Sequence, residues 1–137
     1  MVPEHFSKLP WDEQRWPNFS PVELACRCCG ELPFLPEDFD AIQVVRKTLG
    51  RPVQILSGHR CPIHNARVGG APLSRHKIHI AFDINLAGHD LAGLLAACRQ
   101  AGFTGFGYYQ TFLHVDHGRP RRWWSKGGQK AWHGLIF

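Results

Sequence analysis

The chain has 137 residues, enough for one domain with one core, and its 44% hydrophobic and 20% charged content excludes disordered, collagen-like and coiled-coil classes. No stretch approaches the roughly 20 apolar residues of a membrane span, and residues 1–16 show neither the basic nor the apolar region of a Sec-type export signal, so synthesis without one is the expectation. The net charge of +5 is confined to the end: the first 118 residues balance eleven basic against eleven acidic, while Arg119, Arg121, Arg122, Lys126 and Lys130 follow with no acid. A nucleic-acid binder would spread such an excess over a face, so nucleic acid is not an expected partner. The tail, with Trp123, Trp124 and Trp132, reads as an end packed back on the domain; binding of an anionic polymer is the alternative.

Residues 1–18 are rich in Pro, Trp and Phe without a period and read as an irregular arm. Ser20 as cap, Pro21 as first helical residue and Glu23 as capping-box partner predict a short helix. Pro36-Glu37-Asp38 opens a longer one, with Phe39, Ile42, Val45 and Leu49 near one face and Gly50 as its stop. Val53–Leu56 reads as a buried strand. The polar, turn-rich stretch 57–75 is long for so small a domain, which marks it as functional. Strand character resumes at Ala81–Leu86. Asp90 caps a second amphipathic helix carrying Leu91, Leu94, Leu95 and Cys98 and ended by Gly102, and strand-like runs follow at Phe103–Tyr109 and Phe112–Asp116. The order predicts a single α+β domain, a small and mostly antiparallel sheet flanked by helices.

Five cysteines cannot all pair within one chain, and Cys26, Cys28 and Cys29 crowd into four residues, which argues against a disulfide framework. Cys61 and Cys98 supply no second pair at zinc-site spacing, so the thiols read as mostly reduced, with metal binding by the cluster the lesser alternative. Nine histidines are many for this length, and His59, His64, His76, His79 and His114 lie in or beside the polar stretch and the strand ends. His76 and Asp83, seven apart, with His114 on a later strand make a two-histidine, one-carboxylate set that suits a catalytic zinc with an open position. Satisfied polar histidines and a turn-capping Asp would give the same spacing.

The residues around this set carry a resemblance. Ser74-Arg75-His76-Lys77-Ile78-His79-Ile80-Ala81-Phe82-Asp83 resembles the S-x-H-x-x-G-x-A-x-D signature of the zinc D-Ala-D-Ala carboxypeptidases and L-Ala-D-Glu endopeptidases, a family whose zinc fold is shared by the Hedgehog signalling domain. Upstream, Ser57-Gly58-His59-Arg60, His64-Asn65 and Val68-Gly69-Gly70-Ala71 are similar to the S-G-[YH]-R, H-N and V-G-G-A blocks of the phage-type and bacterial D-Ala-D-Ala carboxypeptidase branch. Downstream, Phe112-Leu113-His114-Val115-Asp116 is similar to its F-V-H-V-D. The three ordered blocks run from about Phe19 to Trp124. They divide the chain into an arm (1–18), a zinc peptidase-like domain (19–124) and a basic aromatic tail (125–137).

The resemblance implies that His76, Asp83 and His114 bind Zn²⁺ and that Arg60 contacts substrate, by clamping a carboxylate or stabilising an oxyanion. Ser74 and Asn65 match positions that shape the substrate loop, where backbone hydrogen bonding is the commoner task. Many relatives place a carboxylate just before the last histidine, but residues 105–113 contain none; Asp116, on the same strand face as His114, is the nearest candidate for general base or for a residue holding the metal ligand. His79 replaces the signature glycine, so it is a candidate for substrate contact, for alternative ligation, or for a solvent-facing ring. Tyr108 and Tyr109 are cleft candidates, one of which should face the core, and His117 reads as a surface residue.

The expected function is zinc-dependent hydrolysis of a D-amino-acid-containing bond in peptidoglycan stem peptides, foremost as a D-Ala-D-Ala carboxypeptidase. The alternative is a non-catalytic zinc-containing cell-wall binding module. A monomer is expected, reaching the wall after lysis or by way of a holin or phage particle, which makes phage or prophage origin the accompanying expectation.

Overall fold

A computed structural model of the chain describes residues 4–61 and 79–137. The sequence-predicted helices form where their end signals lie. Strand β1 (Glu4–His5) and a 3-10 turn (Phe6–Lys8) precede α1 (Pro21–Leu24), whose first turn is closed by the Ser20 N–H donating to Glu23 Oε1 at 2.7 Å. Strand β2 (Glu31–Leu32) pairs antiparallel with β1. Helix α2 (Pro36–Leu49) ends at Gly50, whose φ of 65° places it in the left-handed region, and its N–H returns to the Arg46 carbonyl. Helix α3 (Leu91–Gln100) is capped by Asp90, which accepts the Gly93 N–H at 3.0 Å.

The main sheet contains β3 (Ile55–Ser57), β4 (Phe82–Asn85), β5 (Gly105–Tyr108), β6 (Phe112–Asp116) and β7 (Arg121–Trp124), in the order β3-β4-β6-β5-β7. All pairings are antiparallel except β5 with β7, and a six-residue helix α4 (Lys126–Ala131) follows β7. Strand alternation sorts the sheet's faces. Phe82, Ile84, Phe106, Tyr108, Leu113 and Val115 are buried in one core with Phe39, Ile42 and Val45 of α2 and Leu94, Leu95 and Cys98 of α3, and the two helices pack on each other. The opposite set, Asp83, His114, Asp116, Gly105, Gly107, Arg121 and Trp123, falls on the other face.

Two expectations change, and the end of the chain packs back on the domain as expected. The run 53–56 is not buried throughout: β3 is the sheet edge, and Leu56 is 40% exposed while Val53 and Ile55 are buried. Two residues of the arm form β1, and Trp16 is buried in the core, with its indole N–H on Asp40 Oδ1. The basic end contributes β7, and Trp132 beyond it is fully buried against Tyr108, donating its indole N–H to the Tyr109 carbonyl.

Candidate metal centre

Strands β4 and β6 set Asp83 directly across from His114. Asp83 is 8% exposed and lies with Oδ1 3.1 Å from His114 Nδ1. The other ring nitrogen, Nε2, is 2.7 Å from Oδ2 of Asp116, two residues along the same strand face. Arg60, just beyond β3, completes the group: its Nη2 donates to Asp83 Oδ2 at 3.3 Å and its Nε to Ser57 Oγ at 3.2 Å. His76, Ser74, Asn65 and His64 lie outside the described residues, so one of the three expected ligands, both expected loop-shaping residues and one further histidine are not placed.

The electrostatics show what this arrangement holds. Burial disfavours an imidazolium at His114, yet Asp116 and Asp83 on either side outweigh it and raise its pKa above the ordinary histidine value. Burial likewise disfavours the Asp116 carboxylate, but His114, the bidentate Arg121 guanidinium and the Gly118 N–H hold its pKa well below the usual range. Asp116 therefore stays ionised with all of its acceptor directions in use, which is the geometry of a carboxylate that fixes a histidine ligand. His114 Nδ1 and Asp83 Oδ1 face each other at 3.1 Å, close enough that both would hold one cation. Imidazole nitrogen and carboxylate oxygen are the donors zinc takes, so the described residues fit the ion.

The floor of the site is made by glycines. On β5, Gly105 and Gly107 sit opposite Asp116 and His114 on one side and Arg121 and Trp123 on the other. A Cβ at Gly105 would collide with Asp116 Oδ1 and Arg121 Nη1, and one at Gly107 would lie 2.6 Å from the Trp123 ring. Without side chains there, Arg121 reaches across β5 to Asp116 and the Trp123 ring reaches to 4.9 Å from the His114 ring. Trp123 is fixed in turn by its indole N–H on the Tyr109 hydroxyl at 2.8 Å. Arg121 and Trp123 were not singled out from the sequence, where they merge into the basic end; the usable signal was their alternation against the two glycines.

A match to the peptidase M15 family model spans residues 17–116 and includes Arg60, Asp83, His114 and Asp116. The chain belongs to the peptidase M15 family. Over 88 residues it is 34% identical to the zinc D-Ala-D-Ala carboxypeptidase of Streptomyces albus G, covering 60% of this chain and 34% of that protein. Over 97 residues it is 32% identical to the peptidoglycan L,D-endopeptidase MepK of Escherichia coli K12, covering 64% of this chain and 53% of that one. The chain thus spans between a third and about half of the length of these relatives.

Where the M15 signature carries glycine, His79 of this M15 chain has a ring nitrogen 3.7 Å from Asp38 Oδ1. Asp38, a first-turn residue of α2, is 3% exposed. Its Oδ2 accepts the Ile80 N–H at 3.1 Å and its Oδ1 lies 2.8 Å from His117 Nδ1. His117, expected at the surface, stacks on Phe103 at 4.4 Å between ring centroids. Asp38 therefore ties the stretch entering β4 to α2 on one side and the end of β6 on the other. His59 is buried, its pKa pushed down to about 4 by desolvation, so it is neutral at neutral pH. Of the two tyrosines, Tyr108 is in the core and Tyr109 supports Trp123.

Proposed function

We propose that this M15 domain is a zinc peptidase of peptidoglycan stem peptides, acting foremost as a D-Ala-D-Ala carboxypeptidase. The observation that carries the reading is the Asp83–His114–Asp116 array with Arg60 on its free carboxylate oxygen. His76, Asp83 and His114 would hold the ion. Bound zinc supplies a Lewis acid for the scissile carbonyl and a water whose pKa falls towards ~7. Asp116 keeps the His114 ring in one orientation and one tautomer; of the two roles open to it, this is the one its fully occupied oxygens support, and it makes Asp116 a positioning residue. Among the described residues Arg60 uses Nε and Nη2, and it is one-third exposed, which supports a role for the remaining face of its fork in gripping a terminal carboxylate. A chain ending in D-Ala presents that carboxylate one residue from the bond to be cut.

Release of D-alanine from a stem pentapeptide, before and after chelation and in Asp83→Ala, tests the proposal. Chelator-sensitive release that Asp83→Ala abolishes supports it, and full release by a folded Asp83→Ala protein overturns it. The second reading, a zinc-containing cell-wall binding module, is favoured by one observation: the carboxylate nearest to His114 is already saturated by donors. Stem-peptide binding by the zinc-loaded chain without turnover selects that reading. The lack of an apolar helix long enough to span a membrane among the described residues is compatible with either. Arrival at the wall by lysis, a holin or a phage particle is part of the same proposal.

A further inference from the structure

A second donor cluster lies away from Asp83 and His114. The chain leaves α1 and turns tightly: Cys26 N–H donates to the Glu31 carbonyl and Gly30 N–H to the Cys26 carbonyl, both at 2.9 Å. The turn has the order Cys26-x-x-Cys29-Gly30, and Gly30 closes it at a φ of 76°. Inside it, the Cys28 N–H points at Cys26 Sγ at 3.4 Å.

Cys61 arrives from far along the sequence. Gly58, beyond β3, presses against the Leu24 backbone so closely that a Cβ would collide with it, and the next residue, His59, donates its N–H to the Leu24 carbonyl at 2.9 Å. The two chain segments then run on together until the Cys61 N–H reaches Cys26 Sγ at 3.3 Å. The sulfurs of Cys26, Cys29 and Cys61 all lie within 4.8 Å of one another, and no disulfide joins them. Cys26 and Cys61 are buried and Cys29 is exposed. The spacing along the sequence hid this, because the third thiol comes from another element.

We propose that Cys26, Cys29 and Cys61 form a structural zinc site, separate from the peptidase centre, that clamps the turn after α1 to the segment leaving β3. Thiolates are zinc's preferred structural ligands, and three with a fourth donor complete a tetrahedral site. Peptide N–H groups aimed at a sulfur stabilise its anionic form, and those of Cys28 and Cys61 both point at Cys26 Sγ. Zinc binding deprotonates the three thiols and releases the protons to solvent, so each sulfur gains a bond to the ion as it loses its hydrogen.

The test uses the full chain in the Asp83→Ala background, which weakens the expected peptidase centre without touching the thiols. That protein should retain one equivalent of zinc, and cobalt loading should give an intense near-ultraviolet thiolate-to-cobalt band. Adding Cys29→Ser, at an exposed position where folding can be checked by circular dichroism, should remove the equivalent and the band together; Cys26→Ser should do the same. An Asp83→Ala chain without zinc and without the band overturns the site. So does an intact mass two hydrogens short, which would show a disulfide. Neither result bears on the peptidase reading, which is tested by release of D-alanine.

Discussion

Gly105→Ala is the most discriminating single substitution for the candidate metal centre, because it replaces none of the three expected ligands. The new Cβ would overlap Asp116 Oδ1 and, independently, Arg121 Nη1, so both must move. Arg121 is one-third exposed and can swing into solvent, whereas Asp116 can shift only by disturbing its contacts with His114 Nε2 at 2.7 Å and the Gly118 N–H at 2.9 Å. Overpacking of this kind costs about 1–3 kcal/mol. Parting Arg121 from Asp116 adds less than a fully buried pair would, since water reaches the guanidinium. Stability alone therefore cannot identify the effect. If Asp116 orients His114, displacing it should lower zinc affinity or turnover by about 10–100-fold, the usual consequence of disturbing a carboxylate behind a histidine ligand. Ile42→Val in α2 is the control, destabilising by ~0.5–1.5 kcal/mol at a distance from the site. Zinc titration against a competing chelator, together with D-alanine release, reads both proteins. Unchanged affinity and turnover in Gly105→Ala, at a melting temperature no higher than that of Ile42→Val, would refute the positioning role of Asp116.

Trp132→Ala should destabilise by about 3–5 kcal/mol, as for other fully buried aromatics, and lower Tm by on the order of 10 °C in calorimetry; a shift of a degree or two would show that the end of the chain is dispensable to the core. Arg60→Lys should raise KM for a carboxylate-terminated peptide by about tenfold or more with a smaller change in kcat, because a lysine lacks the planar fork; zinc content should not change, and a loss of zinc would mean that Arg60 supports the ligands instead. Asp40 is held below the usual carboxylate range by Arg15, against some burial, with help from the Trp16 indole. Its folded pKa lies below the unfolded value of about 3.9, so its stabilisation is complete above that value and is lost as pH falls through the folded one. Asp40→Asn should accordingly cost a small amount of Tm at neutral pH and low salt, since both partners are over two-fifths exposed. The gap should close in high salt and in strong acid; a gap indifferent to both would place its origin in packing.

What could be read from the sequence was local. Pro36 with Gly50, and Asp90 with Gly102, mark helix ends by the chemistry of a single turn, and α2 and α3 form between them. The alternation Phe82/Ile84 against Asp83, and Leu113/Val115 against His114 and Asp116, likewise fixed which side chains share a face. What escaped depends on distant partners. Strand β7 pairs parallel with β5, so its alternation is meaningful only once Gly105 and Gly107 are known to lie beside it. Asp38 looked like an acid in a helix's first turn, and its burial against His117 and Ile80 follows from how α2 meets the sheet. Spacing did not join Cys61 to the cysteine cluster, because spacing counts residues, whereas the three sulfurs meet in space.

The short segment from Ser57 to Cys61 joins these two parts of the molecule. Ser57 accepts from Arg60, Gly58 and His59 lie against Leu24, Arg60 reaches Asp83, and Cys61 reaches Cys26. Neighbouring residues thus serve opposite ends of the link, one the candidate metal centre and the other the thiol cluster. A guanidinium whose backbone is held on both sides has less freedom to lose when it grips an anion, and that reduced entropy cost is the physical content of preorganisation. The close approach of Gly58 to α1 is what makes the arrangement possible, for any side chain there would push the segment off Leu24 and move Arg60 and Cys61 together.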